Sequence, residues 1–575
     1  MLDLVLAGGT LIDGTGAPAV VADVGLRDGR VVEVGTITEP TRRRLDVAGR
    51  VVAPGFIDPH THYDAQLMWD PAATPSSLHG VTTVIGGNCG FTLAPVATAA
   101  ASVDETRDNT TYLQRMMARV EGMPLAALEQ GLAWDWRSFA EYLDRFEGAI
   151  GVNAGFLVGH SAIRRAVMGP AATQRNATAE EVSAIVAEFH AALRAGALGL
   201  STSLSTTHND GENDPVPSRL SSDAELFALT DALRGYRGTT LEFITTGCIN
   251  GFTDDEIELM IELSSRADRP LNWNVLSIDP ARPQLHEHQL SASDRANARG
   301  ARIVALAMPI VGPSRVCFHD YFALYSLPKW KDIFPLPIEQ RTRFFADADE
   351  RRELDAIATG PGAGALRGLA SWANLEIGET FAPGNAGLAG RLVRDVAAER
   401  RQDAWDVVCD LAVADGLRTI FWTTGRMAPA SARQRVDTLR DPRVLIGGSD
   451  AGAHLDRMCG ARYPTKFLAS YVREAEAIAL EEAVHLLTEV PARYFGLRDR
   501  GTIAVGHFAD LVVFDAATVD ADRIVTVADL PGGADRLTSQ ALGIDYVLVN
   551  GDVLVDHGAT TDARSGTLLR AGRDT

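Results

Sequence analysis

Residues 54–62 read Pro-Gly-Phe-Ile-Asp-Pro-His-Thr-His, and this stretch decides the predicted fold. The apolar pair Phe56 and Ile57 indicates a short buried strand, and His60 and His62 follow it. Side chains two residues apart on an extended chain point to the same side. At the C-terminal end of a barrel strand, both imidazoles would enter the mouth where such barrels carry their active sites. Because imidazole is a standard zinc ligand, the pair predicts half of a metal site.

Apolar, β-rich runs continue through the middle of the chain, and helical stretches separate many of them. The runs are residues 82–85, 155–158, 198–204, 240–244, 271–276, 303–308, 419–422 and 444–446. Fully apolar strands that alternate with helices indicate a parallel sheet buried on both faces. With Phe56 and Ile57 there are nine candidate strands, whereas a closed barrel needs eight, so one run lies outside it. The predicted fold class is α/β, with a (β/α)8 TIM-like barrel.

Both ends of the chain show strand–turn–strand patterns. Asp-Gly pairs between apolar residues mark hairpins in residues 2–55, and residues 510–514 and 545–555 have a similar pattern. Since chain ends often lie close together, the two segments can form one small sheet domain. The predicted domains are a β-sandwich from residues 1–55 and 496–575, a barrel over residues 56–495, and an insertion into it around residues 310–400.

The composition argues against several classes of partner. The net charge of −21 disfavours binding to nucleic-acid phosphates. No run of eighteen apolar residues suggests a membrane span, and the acidic start of the chain does not resemble a secretory signal. Five scattered cysteines without a CxxC pair suit reduced thiols. We expect a cytoplasmic protein with a small-molecule substrate and no nucleic-acid or membrane partner, and a homo-oligomer is left open.

A second motif follows the next predicted strand. Residues 80–91 read GVTTVIGGNCGF, which places Cys89 in a glycine-rich turn. A thiolate is a soft and good zinc ligand. The alternative is a buried structural cysteine.

The PGFIDPHTH stretch and this turn resemble the amidohydrolase superfamily, and within it the N-acyl-D-amino-acid deacylase, or D-aminoacylase, group. The resemblance implies a metal-binding barrel flanked by a β-sandwich from both termini, with one or two divalent ions, zinc above all. Other members of the superfamily often bridge two metals with a carboxylated lysine, and the resemblance implies that Cys89 takes that place here. The three lysines, Lys329, Lys331 and Lys466, do not lie in an early strand pattern.

Two further stretches are similar to the same group: VGHSAIRRAVMG at residues 158–169 and IGGSDAG at residues 446–452. The resemblance implies that Asp450 is general base and then acid, and that a metal-bound hydroxide attacks the amide. A carboxylate beside such a hydroxide suits that task. The alternative for Asp450 is a turn or helix-capping residue. His160 either contacts substrate or packs and hydrogen-bonds inside the barrel.

The sequence departs from the group on the fifth and sixth strands, where D-aminoacylases place ligand histidines. Glu242 and Asn274 stand at those places. Glutamate can ligate zinc, whereas asparagine does so poorly, and Asn274 is predicted to contact substrate. We expect His60, His62 and Asp450 to hold a metal with help from Cys89 or Glu242, unless catalysis has been lost. Histidines elsewhere could compensate, namely His208, His286, His288, His319 and His454.

The leading hypothesis is therefore a metal-dependent amidase or deacylase that cleaves a carbon–nitrogen bond. A metal would polarise the scissile carbonyl and lower the pKa of its water to roughly 7. A substrate carboxylate would need a cation, and Arg462, with Arg457 and Lys466, follows the Asp450 turn. One alternative is a cyclic amide hydrolase similar to hydantoinases, against which the cysteine turn argues. The other is a non-catalytic binding or assembly protein, suggested by the missing histidines.

Overall fold

The computed structural model describes residues 1–278, 283–319, 324, 327–423 and 429–575. The chain divides into two compact units. The first comprises Met1–Ile310, Ala428–Leu455 and Cys459–Thr575, and the second comprises Val311–Met427 and Asp456–Met458.

The strands of the described residues are, in chain order, β1 (Leu2–Leu11), β2 (Val20–Arg27), β3 (Arg30–Gly35), β4 (Thr41–Asp46), β5 (Val51–Pro54), β6 (Phe56–Asp58), β7 (Val81–Gly86), β8 (Asn153–Phe156), β9 (Val158–Gly159), β10 (Gly199–Ser203), β11 (Thr240–Ile244), β12 (Leu271–Trp273), β13 (Ile303–Ala307), β14 (Arg315–Val316), β15 (Leu375–Ile377), β16 (Phe421–Thr423), β17 (Val444–Ile446), β18 (Leu511–Phe514), β19 (Asp520–Ala521), β20 (Val525–Leu530), β21 (Ala534–Thr538), β22 (Ala541–Leu542), β23 (Ile544–Val549), β24 (Asp552–Asp556) and β25 (Ala559–Thr560).

The α-helices are α1 (Val103–Val120), α2 (Leu125–Gln130), α3 (Phe139–Asp144), α4 (His160–Met168), α5 (Ala179–Arg194), α6 (Asp223–Leu233), α7 (Gly247–Asn250), α8 (Asp254–Ala267), α9 (Pro283–Asn297), α10 (Trp330–Ile333), α11 (Ile338–Ala346), α12 (Ala348–Thr359), α13 (Val393–Arg400), α14 (Ala404–Ala414), α15 (Pro429–Leu439), α16 (Tyr463–Phe467), α17 (Leu480–Leu487) and α18 (Glu489–Phe495). Among the described residues, none of these helices is both long enough and apolar enough to cross a membrane.

Strands from both ends of the chain share one sheet in the first unit. Its order is β25-β24-β23-β18-β5-β1-β2-β3, and β4 pairs with β1. The two ends meet where β5 lies antiparallel to β18, with Val52 opposite Val513. Leu6, Val24 and Leu548 pack with those valines in one buried cluster. Each such aliphatic side chain stabilises the fold by about 1.5–3 kcal/mol through its burial, so these contacts hold the two ends together.

The strands that carry the sequence motifs are parallel. One ladder joins β6, β7 and β8, and a second runs β9-β10-β11-β12-β13-β17. Only Leu157 separates β8 from β9. A parallel bridge pairs Thr61, just after β6, with Ala451, beyond the end of β17. The motifs after β6, β7 and β17 therefore leave strand ends that point the same way.

The run at residues 419–422 is the candidate strand that does not join these parallel ladders. It forms β16 in the second unit, where β16 is antiparallel to both β14 and β15. Helices α10 to α14 of that unit share a buried core that includes Phe318, Trp330, Phe345 and Trp405. The unit covers the region predicted as an insertion around residues 310–400 and extends to residue 427.

Several helices of the first unit begin at a residue whose side chain accepts a free backbone N–H group, as at Ser102, Thr178 and Thr253. Before α5, the Thr178 side chain accepts from the N–H of Glu181, whose carboxylate accepts from Thr178 in return. This capping box stabilises the first helical turn. Ile185 and Phe189, one turn apart, are then buried on one face of α5. Local capping and helical spacing therefore explain why this stretch becomes a helix.

Candidate metal centre

The two motif histidines lie directly beyond β6 and are buried. His60 is 5% exposed and His62 is fully buried. The N–H of Thr61 donates to the carbonyl of Ile85 at the end of β7, which fixes the histidines beside the following turn. In that turn, the Cys89 sulfur lies 3.4 Å from Nε2 of His60 and 3.7 Å from Nε2 of His62. The structure thus brings together the three residues predicted from the first two motifs.

The glycine-rich turn has the backbone conformation that this approach requires. Gly87 has a φ of +76°, and a Cβ there would lie 2.1 Å from the carbonyl oxygen of Leu157. Only glycine fits such a position without displacing the backbone. Cys89 itself has a φ of +58°. The turn therefore presents the thiol to the histidines by a backbone path that the glycines allow.

Asp450 reaches the same histidines from the other side. Its Oδ1 atom lies 3.1 Å from Nε2 of His62 and 3.5 Å from Nε2 of His60. Its Oδ2 atom lies 3.4 Å from Nε2 of His454, which is one of the five compensating candidates. Gly452 has a φ of +93°, and a Cβ there would lie 2.3 Å from the carbonyl oxygen of His62. The close approach of the two chain segments therefore depends on glycine.

Glu121 is a member of the site that sequence reasoning missed. It directly follows α1 and caps it, donating its N–H to the carbonyl of Met117. Its side chain is 3% exposed, and Oε2 lies 3.5 Å from Nε2 of His62. The N–H of His454 donates to its backbone carbonyl, which ties it to the Asp450 loop. No motif surrounds this glutamate, and the only local signal is the helix end marked by Gly122.

Five residues thus form what we call the donor cluster: His60, His62, Cys89, Glu121 and Asp450. Within the described residues, two overlapping groups have ligand atoms within 4.8 Å of one another, namely His60 with His62 and Cys89, and His62 with Glu121 and Asp450.

Glu242 and Asn274 lie beside the donor cluster and hydrogen-bond to it, and a role for Glu242 as a ligand stays a prediction. One oxygen of Glu242 accepts the N–H of Cys89 at 3.0 Å, and the other accepts the amide N–H of Asn274. Asn274 Nδ2 also lies 3.1 Å from Nδ1 of His60, on the far side of that ring from the cysteine. Because its oxygens are engaged in this way, Glu242 orients the cluster from behind, and Asn274 supports the His60 ring.

Burial shifts the pKa values of the groups in and behind the donor cluster. Burial, and then the charge of Glu242, raise the pKa of the Cys89 thiol well above its usual value. Burial also raises the pKa of Glu242. Burial would lower the pKa of His62, yet Glu121 and Asp450 raise it to about 10. Burial therefore disfavours the ionised forms of Cys89 and Glu242, and a bound cation would favour them.

A divalent metal ion fits this donor set. Zinc bonds of about 2.0–2.3 Å in a tetrahedral shell put neighbouring ligand atoms about 3.3–3.6 Å apart. The distances from the sulfur to the two Nε2 atoms are 3.4 and 3.7 Å, and those from the Nε2 atoms to Asp450 Oδ1 are 3.5 and 3.1 Å. Imidazole, thiolate and carboxylate are the zinc ligands of proteins. Both the spacing and the chemistry of the donors therefore suit zinc.

Comparison with known proteins agrees with this chemistry. A model of the amidohydrolase family matches residues 43–555. The chain belongs to the amidohydrolase family. D-aminoacylase of Alcaligenes xylosoxydans xylosoxydans is 31% identical over 572 residues, which cover 99% of this chain and 97% of that protein. N-acyl-D-glutamate deacylase of the same organism is 29% identical over 593 residues, with 99% and 96% covered. The resemblance to the N-acyl-D-amino-acid deacylases is confirmed.

Solved structures of the same group are also similar to this amidohydrolase. A crystal structure of D-aminoacylase has a TM-score of 0.63 and 28% identity, and covers 99% of this chain and 100% of its own. N-acyl-D-glutamate deacylase from Bordetella bronchiseptica, solved with zinc and a phosphonate inhibitor, has a TM-score of 0.62 and 26% identity with the same coverage. A D-hydantoinase of Ralstonia pickettii, in contrast, matches 86 residues, 15% of this chain.

His160 has partners within the protein for both ring nitrogens. Nδ1 lies 2.8 Å from Thr202 Oγ1, and Nε2 lies 2.8 Å from Glu225 Oε1. Arg164 donates to the other oxygen of Glu225, and the three side chains are fully buried. Of the two alternatives for His160, these contacts favour packing and hydrogen bonding inside the protein over contact with substrate.

Arg462 has its described contacts in the C-terminal segment. Its Nη1 atom donates to the carbonyl of Asp522 at 3.2 Å, and its charged neighbours are Cys459 and Asp520. Lys466 pairs with the same Asp520 at 3.1 Å. Neither contact brings these cations to the histidines, so a role for Arg462 in binding substrate stays a prediction.

Among the other candidate histidines, His208 and His288 bind protein groups. His208 Nδ1 lies 2.8 Å from Ser203 Oγ, and His288 Nε2 lies 3.1 Å from the carbonyl of Phe252. Burial, with the nearby charge of His62, lowers the pKa of His208 to about 4. His208 is therefore a neutral neighbour of the donor cluster, outside both groups of ligand atoms found among the described residues.

We expect the amidohydrolase, purified without chelator, to contain at least about half an equivalent of zinc by elemental analysis. His62→Asn should lose most of this metal, because the Nε2 atom of His62 belongs to both groups of donors. His557→Asn, at a side chain that is 63% exposed, is the matched control and should keep the wild-type content. Equal metal content in the two variants would contradict the site.

Replacing Cys89 by serine should weaken zinc binding and abolish the thiolate-to-metal absorption band of the cobalt-substituted protein. The reason is that the Cys89 sulfur faces both imidazoles, whereas Cys248, also buried, receives the N–H of Thr245. Cys248→Ser is therefore the control and should keep the band. A cobalt spectrum unchanged in Cys89→Ser would remove the thiol from the shell.

The buried ion pair beneath His160 gives a prediction about stability. Glu225→Ala leaves the buried guanidinium of Arg164 without its counter-ion, which should cost about 3–5 kcal/mol and lower the melting temperature. Glu129→Ala, on an exposed side chain, serves as the control and should change stability little. If differential scanning calorimetry gives the same melting temperature for both variants, the His160 network is not structural.

Proposed function

We propose that this amidohydrolase is a metal-dependent deacylase of the D-aminoacylase type, which cleaves the amide bond of an N-acyl amino acid. The observation that carries the proposal is the donor cluster, in which two imidazoles, a thiol and two carboxylates converge. Its support is similarity to D-aminoacylase and N-acyl-D-glutamate deacylase along nearly the whole chain. The short match to D-hydantoinase gives the cyclic amide alternative weaker support.

We further propose that the parallel strands close into a (β/α)8 barrel. Counting β8 and β9 as one interrupted strand, β6, β7, β8/β9, β10, β11, β12, β13 and β17 are eight, and the Thr61–Ala451 bridge is the support for closure. The proposed domains are a β-sandwich from residues 1–55 and 496–575 and a barrel over residues 56–495 with an insertion around residues 310–400. A cytoplasmic location and a homo-oligomer stay predictions.

The residues of the donor cluster have separate tasks in the proposed reaction. His60, His62 and Cys89 would hold zinc, with Asp450 beside them. Zinc, when bound, polarises the scissile carbonyl and makes its water more acidic. Asp450 is the proposed proton acceptor, because its carboxylate oxygen lies 3.1 Å from His62 Nε2 and 3.5 Å from His60 Nε2, beside the place where the ion would be held.

Asp450 can also return the proton to the leaving nitrogen. One of its oxygens faces the two histidines, and the other faces His454 at 3.4 Å. A carboxylate held from both sides keeps its orientation while it accepts and releases a proton, which is the geometry that general acid–base catalysis requires. The histidines and His454 therefore position the group that moves the proton.

Asp450→Asn should lower turnover by about 10²–10⁴-fold, because asparagine keeps the shape of the side chain but cannot accept the proton. The assay is amine release from N-acetyl derivatives of D- and L-amino acids, run beside a melting curve. Asp562→Asn, at an exposed position, is the control and should keep full turnover. Near-normal turnover by Asp450→Asn would remove this residue from the mechanism. If the zinc-loaded wild type hydrolyses no member of the panel, the proposed function is wrong.

A further inference from the structure

A carboxylate ligand was expected from the fifth strand, but the structure presents a different one to the histidines. Both oxygens of Glu242 are engaged, one by the N–H of Cys89 and one by Asn274. Glu121, by contrast, directs Oε2 at Nε2 of His62, the same atom that faces Cys89 and Asp450. Two buried glutamates therefore stand in different relations to the same cluster.

We propose that Glu121 is a ligand of the metal ion that His62 binds. The proposal rests on the proposed function only in assuming that this cluster binds a divalent ion. It assigns a residue from the end of a helix, outside the strand motifs, to the first coordination shell.

The distance between Glu121 and His62 suits two ligands of one ion better than a hydrogen-bonded ion pair. Glu121 Oε2 lies 3.5 Å from Nε2 of His62, longer than the 2.7–2.9 Å of a charge-assisted hydrogen bond. Two atoms bound to one zinc ion lie about 3.3–3.6 Å apart, and the distance from Glu121 Oε2 to His62 Nε2 falls in this range. The 3.5 Å from Nε2 of His60 to Asp450 Oδ1 falls in the same range. The side chains thus have the separation of ligands that share an ion.

The backbone holds Glu121 in place for this role. Its N–H donates to Met117 in the last turn of α1, and its carbonyl accepts the N–H of His454. The side chain is 3% exposed, so its charge is removed from bulk water. A residue fixed at both backbone groups is pre-organised to ligate.

The two groups of donors share His62, whose Nε2 atom lies 3.7 Å from the Cys89 sulfur and 3.5 Å from Glu121 Oε2. An imidazole nitrogen has one lone pair to give, so an ion bound there lies beside both Cys89 and Glu121. We expect Glu121 to ligate this ion.

The test compares two buried glutamates by metal affinity, with no substrate present. Loss of outer-shell partners costs about 10–100-fold in metal affinity, so Glu121→Gln should cost at least about 100-fold and Glu242→Gln less. Zinc dissociation constants come from competition with a chromophoric chelator. Glu129→Gln, on the exposed face of α2, is the control and should bind zinc as the wild type does.

A crystal structure of the zinc-loaded wild type decides the case if Glu121→Gln does not fold. We expect an Oε atom of Glu121 within about 2.0–2.2 Å of the ion. A zinc ion bound by the histidines with Glu121 beyond this distance, or wild-type affinity in Glu121→Gln, overturns the proposal and leaves the deacylase function standing. A wild type that binds no zinc overturns both, and a wild type that binds zinc but hydrolyses no N-acyl amino acid overturns only the function.

Discussion

Acidic groups buried around two imidazoles are the constraint on which the rest of the site depends. Burial, and then the nearby charges of Glu242, Glu121 and Asp450, raise the pKa of the Cys89 thiol. His60 and His62 face one oxygen of Asp450, and His454 faces the other. Because isolated charges are costly away from water, a divalent ion bound here would stabilise the ionised forms of these ligands.

The fold answers that constraint by bringing the segments after β6, β7 and β17 to one place. Asp58 Oδ1, in the last residue of β6, accepts the N–H groups of both His60 and Ser449, so it ties the first motif to the last. Gly87 and Gly452 then allow approaches of backbone to backbone that a Cβ would block. Asp58, Gly87 and Gly452 therefore set the distances between the segments that carry the ligands, although they are not proposed as ligands themselves.

The sequence predicts the motif-bearing part of this arrangement well, because parallel strands put consecutive strand ends at one edge. His60, His62, Cys89 and Asp450 each follow a buried apolar run, and the structure brings them together. Glu121 has no such signal, since it ends a helix in a chain with 75 acidic residues. Its place depends on how α1 packs in three dimensions, and local periodicity carries no information about that.

The strand position of Glu242 did not by itself determine what this residue contacts. The prediction placed it where relatives carry a ligand histidine, and the strand does bring it to the cluster. A carboxylate, unlike imidazole, can accept two hydrogen bonds at once, and here the Cys89 N–H and the Asn274 amide fill both oxygens. Asn274 in turn reaches His60, so the two replaced positions form one hydrogen-bonded unit behind the donors. These hydrogen bonds support a role for the two positions in orienting the donors, and they leave Glu121 and Asp450 as the carboxylates that face His62.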